Sequence, residues 1–320
     1  MKTMEQLQEI ADSLTLQEMR NLKEEAGYYR SGFPYPLDSE SPWFYIKYGK
    51  HSSALTRMEA ETREFTYNAL QEISLSAVNK DSLPCVPKIF RVIWPDFVVM
   101  EYREGRTLQK LAETLPWEEQ LSYIRRIAKA IDILLSIPIP ADATPGPYGG
   151  GLILHPLFKD AEAPKLFKDV ASLRAHVNYM SGMPQNHPPP SGAPPRPQCA
   201  LDSRLYLVWG DFNPGNFIFD ANGFLCLIDF ENVNLLPLCF QTYALHYGFP
   251  ISTQYGWAVS DAMETALPTH NMETFIRAHT WFVRCAAWMG VPEEERYRKV
   301  HKYIVPDDIK RAGSKLHQPP

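Results

Sequence analysis

The stretch LYLVWGDFNPGNFIFDANGFLCLIDFEN, residues 205–232, decides how the rest of the chain is read. FIFD (217–220) and FLCLIDF (224–230) are apolar, aromatic and β-branched, as strands are. Asn222 and Gly223 lie between them. That dipeptide is the strongest short-range signal for a two-residue type I′ hairpin loop, because both of its residues must take positive φ. With Asn222 and Gly223 as the loop, Ala221 pairs with Phe224, and the same register sets Asn216 opposite Asp229. Directly opposed residues have Cα atoms about 4.5–5.5 Å apart. The turn chemistry therefore predicts an amide and a carboxylate side by side at the open end of a hairpin. Asp211 stands five residues before Asn216, across Asn213, Pro214 and Gly215, a tight turn that folds it back toward the same point.

A carboxylate and an amide oxygen are hard donors of the kind Mg²⁺ accepts alongside phosphate oxygens and water. A second carboxylate nearby can orient a hydroxyl and take its proton. A base, a metal-binding amide and a metal-binding carboxylate are the parts that phosphoryl transfer requires. Any one of the three is more simply a turn residue bonding its own backbone. All three in one register point to chemistry.

Upstream, residues 15–26 open with Thr15 and carry Glu18 three positions on, a capping box, with Gly27 as the stop; residues 3–12 suggest a further short helix. Residues 27–42 mix aromatics with turn residues and read as an irregular strand or two with a loop. WFYIKYG (43–49) reads as a strand. Met58, Phe65, Ala69 and Ile73 recur at helical spacing, so 58–73 is an amphipathic helix. Residues 87–102 read as two strands meeting at Trp94 and Pro95, and 108–137 as two helices. Residues 166–181 are helical again, and the chain from about 240 is mostly helical.

Composition sets the outer limits. The 320 residues are 45% hydrophobic and 22% charged, which is globular and long enough for about two domains. A net charge of −5 without a Lys/Arg block argues against a nucleic-acid surface. The five cysteines, 85, 199, 226, 239 and 285, form no CxxC pair, so neither a disulfide framework nor a structural zinc site is expected. The polar, acidic start is not a secretory signal, and no apolar run reaches the roughly 18 residues of a membrane span. A soluble, cytoplasmic protein is expected. Much of the excess of 28 prolines sits in residues 184–197, which can form no regular ladder and read as an extended loop flanking an acceptor pocket.

The segment Gly210, Asp211, Asn216, Ile228, Asp229, Phe230, Glu231 resembles the catalytic signature of the aminoglycoside phosphotransferase and choline kinase-like family, whose fold is protein-kinase-like. The look of the chain, including SIPIP at 136–140, is nearest to fungal members. The resemblance covers roughly residues 40–240. It implies an α+β, two-lobed fold: a small mixed α/β lobe over 1–102 and a larger, mainly helical lobe over 103–320. It implies Asp211 as catalytic base and Asn216 and Asp229 as Mg²⁺ ligands. Lys47 falls where the family places its phosphate-binding lysine. Glu59 best matches the helix acid that orients that lysine, with Glu61 as its rival on the same helix. Glu101 and Tyr102, in VVMEYREG, resemble the hinge whose backbone meets an adenine.

The function this implies is ATP- and Mg²⁺-dependent phosphorylation of a small-molecule hydroxyl, with no nucleic-acid or membrane partner. The chain departs from the family at three places. Trp209 stands where a structural His is usual, which puts loop geometry in question. No G-x-G-x-x-G precedes Lys47, so phosphate grip is expected to be weaker or supplied by Ser39 or Ser41. The NVNLLP after Glu231 identifies no substrate residue. A pseudokinase that binds nucleotide or a partner without transfer is the alternative. A protein kinase ranks lower, for want of an A-P-E-like segment.

Overall fold

The computed structural model describes residues 2–27, 31–48, 53–76, 83–93, 97–183, 197–285 and 289–296. The proline-rich stretch expected to flank an acceptor pocket lies almost wholly outside them. The chain forms two compact units, one from residues up to 57 together with 89–100, the other from 58–88 together with 101–296.

In the smaller unit, α1 (Met4–Ser13) and α2 (Leu16–Ala26) each begin at a complete capping box, on Thr3 with Gln6 and on Thr15 with Glu18. Gly27 ends α2 at φ 97, as its position predicted. The strands β1 (Gly32–Tyr35), β2 (Phe44–Tyr48), β3 (Ile89–Ile93) and β4 (Phe97–Glu101) form one sheet in the order β1-β2-β4-β3. The first strand, which the mixed composition of 27–42 left indistinct, is Gly32–Tyr35, paired antiparallel with β2 so that Gly32 faces Lys47. Alternation along β2 buries Phe44, Ile46 and Tyr48 and leaves Tyr45 and Lys47 half-buried. Those buried residues join Phe33, Phe90, Phe97, Val99, Ala11, Leu14 and Met19 in one core. Arg91 fastens α1 to the sheet by donating to the carbonyls of Ala11 and Leu14.

In the larger unit, α3 (Ser53–Ser76), from Met58 onward, is the predicted amphipathic helix, extended at both ends. Then come β5 (Arg106–Thr107), α4 (Leu108–Ala112), α5 (Trp117–Ser136), α6 (Val170–Ser181), β6 (Tyr206–Trp209), β7 (Phe217–Phe219), β8 (Leu225–Leu227) and β9 (Val233–Leu236). Three helices close the described chain: α7 (Leu238–Tyr247), α8 (Pro250–Ala262) and α9 (Met272–Arg284). The core packs Ile124, Ile127, Ile131 and Leu134 of α5 against Leu207, Trp209, Phe217, Leu227 and Phe230. The apolar stripe of α5 thus holds the strands that carry the site. The fold class is the expected one: α+β, with a small mixed unit and a larger, mainly helical one. No described helix is long and apolar enough to cross a membrane.

Candidate active site

The hairpin that organises the site differs from its expected form by one residue. Phe217 pairs with Leu227, Ile218 with Cys226 and Phe219 with Leu225. The loop has three residues, Ala221, Asn222 and Gly223. The Gly223 N–H donates to the Asp220 carbonyl at 2.9 Å, and the Asp220 N–H to the Phe224 carbonyl at 3.1 Å. Asp220 causes the difference: its carboxylate accepts from the N–H groups of Asn222 and Phe224, both at 2.8 Å. That draws Ala221 into a type I turn and leaves Gly223, at φ 79, as the single left-handed residue.

Asn216 consequently aligns with Ile228, whose N–H donates to the Asn216 carbonyl at 3.0 Å, and Asp229 comes one residue later than the two-residue loop predicts. Strand alternation alone would turn Asp229 to the opposite face. Instead Asp229 leaves the ladder at φ 65, ψ 75, a left-handed conformation that costs a non-glycine residue energy. That backbone turn takes Asp229 out of the strand's alternation, and its charge acts on Asp211.

Asp211 and Asn216 come together as expected. Asn213, Pro214 and Gly215 form a tight turn in which the Asn213 side chain accepts the Gly215 N–H at 2.9 Å. The Asn216 amide nitrogen donates to Asp211 Oδ2 at 3.2 Å, while Asp211 Oδ1 accepts the Asn213 N–H at 2.9 Å and the Ser252 hydroxyl at 3.3 Å. With its nitrogen turned to Asp211, the Asn216 amide has its Oδ1 left for another ligand. Burial pushes the Asp211 carboxyl above the ordinary carboxylate range, and the charge of nearby Asp229 pushes the same way. The Asn213 N–H, the Asn216 amide and the Ser252 hydroxyl pull against them. The charge of Asp229 therefore acts on Asp211.

Trp209, the departure that put the loop in question, holds it. The residue is 1% exposed, and its indole N–H donates to the Asp211 carbonyl at 2.6 Å. Gln241 clamps its backbone from both sides, accepting its N–H at 2.9 Å and donating to its carbonyl at 3.0 Å. The ring packs edge-on against Phe230, with centroids 5.2 Å apart. Gly210 lies so close to Asn232 that a Cβ there would sit 2.5 Å from its carbonyl oxygen. Gly210 is thus required by close backbone approach.

On α3, Glu59 and Glu61 leave in different directions. Glu59 is buried, and its Oε1 accepts the Phe230 N–H at 3.1 Å and the Arg63 guanidinium at 2.9 Å. Arg63, itself 1% exposed, lies over the Phe230 ring at 5.1 Å. Glu61 packs against Gly149 and lines a cavity of about 630 Å³ with Phe65, Tyr148 and Ile137. Of the two acids, Glu59 is the one that reaches the segment carrying Asp229.

Glu101 donates its N–H to the Lys88 carbonyl at 2.9 Å, and its carboxylate accepts from Arg103 at 2.7 Å. Tyr102 follows directly. Lys47 lies in the smaller unit on β2, and Ser39 and Ser41 lie in the β1–β2 connection, where the Ser41 N–H donates to Ser39 Oγ at 3.1 Å.

Ser252, Gln241 and Arg63 are site residues that the sequence reading missed. Each reaches the site across a long separation in sequence or from a helix face crowded with other polar side chains. No spacing rule singles them out.

The family model described as "Phosphotransferase enzyme family" matches residues 41–240. No curated protein sequence matches the chain. Similar solved structures include the ADP-bound aminoglycoside phosphotransferase APH(2″)-Ib, at 14% identity over 95% of this chain and 97% of that one, TM-score 0.45. The streptomycin–ATP complex of APH(2″)-IIa is 14% identical over 82% and 87%, TM-score 0.43. The macrolide 2′-phosphotransferase MphH from Brachybacterium faecium is 12% identical over 95% and 99%, TM-score 0.41. With the model spanning well over half of its length, this chain belongs to the phosphotransferase enzyme family and is a small-molecule phosphotransferase.

Proposed function

We propose that the chain transfers the γ-phosphoryl group of ATP to a hydroxyl of a small molecule in a Mg²⁺-dependent reaction. The observation that carries this reading is the hydrogen bond between the Asn216 amide and the Asp211 carboxylate, with the charge of Asp229 acting on Asp211.

The donor set fits the metal. One carboxylate, Asp229, and the amide oxygen of Asn216 make a hard-oxygen pair, and Mg²⁺ commonly takes one or two protein oxygens and completes its shell with phosphate and water. Among the described residues, no group of three or more His, Cys, Asp or Glu offers a softer or fuller cage. When bound, Mg²⁺ neutralises charge on the phosphates.

The chain's own residues do the rest. Asp211, held by the Asn213 N–H, the Asn216 amide and the Ser252 hydroxyl, orients the acceptor hydroxyl and takes its proton as the phosphoryl group leaves ATP. Its raised pKa keeps it a better base than an exposed aspartate. Lys47 holds the α and β phosphates, with Glu59 as its orienting acid. The Glu101 carbonyl and the Tyr102 backbone receive the adenine. Positioning and charge neutralisation supply most of the acceleration, because little covalent work falls to the protein.

The test is mass analysis of acceptors incubated with protein and Mg-ATP, over a panel of hydroxylated metabolites, amino alcohols, aminoglycosides and macrolides. One acceptor class gaining a phosphate, and none gaining it with Asp211→Asn, supports the reading. Nucleotide binding without transfer to any acceptor overturns it in favour of a nucleotide-binding pseudoenzyme.

A further inference from the structure

Two of the five cysteines meet in the larger unit. Cys85 forms a lone parallel bridge with Cys226 of β8: the Cys85 N–H donates to the Leu225 carbonyl and the Leu227 N–H donates to the Cys85 carbonyl, both at 2.8 Å. Those two bonds bracket Cys226. Adjacent strands lie about 4.7–4.9 Å apart, within the roughly 4.4–6.8 Å Cα separation that a disulfide spans. As the two partners of one parallel bridge, Cys85 and Cys226 project their side chains to the same face of the ladder, which sets the thiols side by side.

The pair is asymmetric. Cys226 is 5% exposed, whereas Cys85 is half-buried. The Arg103 guanidinium faces both sulfurs, with Glu101 and Asp220 opposing it at Cys85. That guanidinium is also paired with the Glu101 carboxylate at 2.7 Å, and its Nε is buried and makes no hydrogen bond among the described residues. The contact with Cys226 and the Arg103 charge hold the Cys85 thiol below its ordinary value, while burial and the same contact hold Cys226 above it. Cys199 and Cys239 are pushed up to about 11 and about 12 by burial and stay inert thiols.

We propose that Cys85 and Cys226 are a redox-active pair that closes to a disulfide under a hydroperoxide and reopens with a thiol reductant. Cys85, as thiolate, attacks one peroxide oxygen; the O–O bond breaks, Cys85 becomes a sulfenic acid, and hydroxide leaves to be protonated to water. Cys226 sulfur then attacks Cys85 sulfur. The S–S bond forms, the S–O bond breaks, and the hydroxyl departs as water with the Cys226 proton. Two thiols lose two electrons and one peroxide is reduced to two waters. The bond ties the segment leading into β3 to β8, three residues before Asp229. It would tether the strand that leads into Asp229, the aspartate proposed above to hold Mg²⁺.

The experiment treats the reduced full chain with graded hydrogen peroxide and maps its peptides by mass spectrometry without reduction. The expected result is a Cys85–Cys226 cross-linked peptide, formed at lower peroxide than any modification of half-buried Cys285 and lost on adding dithiothreitol. In Cys226→Ser, Cys85 is trapped by dimedone as sulfenic acid. In Cys85→Ser, Cys226 stays unmodified under the same dose. A folded wild type that yields no cross-link, or a Cys226 that is modified as fast in Cys85→Ser as Cys85 is in Cys226→Ser, overturns the proposal. If either serine variant melts far below wild type, the wild-type cross-link and its reversal decide alone.

Discussion

The Trp209 indole donates its N–H to the Asp211 backbone carbonyl at 2.6 Å, so the residue two positions before the proposed base fixes that base's main chain. An aromatic donor, buried and clamped by Gln241, fills the supporting position from which the family's usual histidine is absent.

Trp209→Phe keeps the ring in the core and removes the donor. Loss of one buried hydrogen bond and some ring volume lowers stability by about 1–3 kcal/mol. Under conditions where the variant is folded, kcat falls while KM for nucleotide holds, because the affected group is the base. Denaturant titration and steady-state kinetics check both.

Ser252→Ala removes one of the donors that favour the charged form of Asp211. The Asp211 pKa then rises further, since a hydrogen bond to a carboxylate lowers it. The acidic limb of the kcat/KM profile moves to higher pH, and Ser252→Thr, which keeps a hydroxyl, restores it. A purely structural serine would lower activity without moving that limb.

The raised pKa of Asp211 also has a sign in stability. The folded protein holds the Asp211 proton more tightly than the unfolded chain, whose aspartates titrate near the ordinary 3.8. Wild-type stability therefore gains from Asp211 at low pH and loses that gain as pH rises through the raised value. Relative to wild type, Asp211→Asn becomes progressively more stable from pH 3 to pH 7. Melting temperatures of the pair across that range measure it, and a flat difference contradicts the raised pKa.

Arg63→Ala breaks a buried ion pair whose acid also holds the Phe230 N–H, and costs about 3–5 kcal/mol. Arg63→Met, which keeps most of the volume, costs less. Thermal and denaturant unfolding of the two variants separate charge from packing.

Asp229→Ala removes one of the two proposed metal oxygens. Nucleotide affinity measured by calorimetry loses its dependence on Mg²⁺, while binding without the metal changes little. Unaltered Mg²⁺ dependence contradicts the assignment of Asp229.

Much of this was legible in the sequence. Local chemistry decided the capping box of Thr15 with Glu18, the strand carrying Lys47 and the helix from Met58, and local chemistry is what a sequence displays. The meeting of Asp211 with Asn216 was legible too, because a turn of three residues brings it about. The hairpin register was missed by one residue because an aspartate side chain competed for the turn's N–H groups, a choice that Asn222 and Gly223 alone do not reveal. Asp229 leaves its strand by a left-handed backbone turn, a conformation that no pattern of side chains announces. Ser252, Gln241 and the Cys85–Cys226 bridge are products of tertiary packing across long stretches of chain, and periodicity carries no trace of them.

The most direct measurement is the transfer rate of wild type and Asp211→Asn on the acceptor found by screening, with ATP affinity measured alongside. A general base contributes about 10²–10⁴-fold, so kcat should fall by that factor while the dissociation constant for Mg-ATP stays within about twofold. A variant that transfers phosphate at the wild-type rate would contradict the assignment of Asp211 as the base.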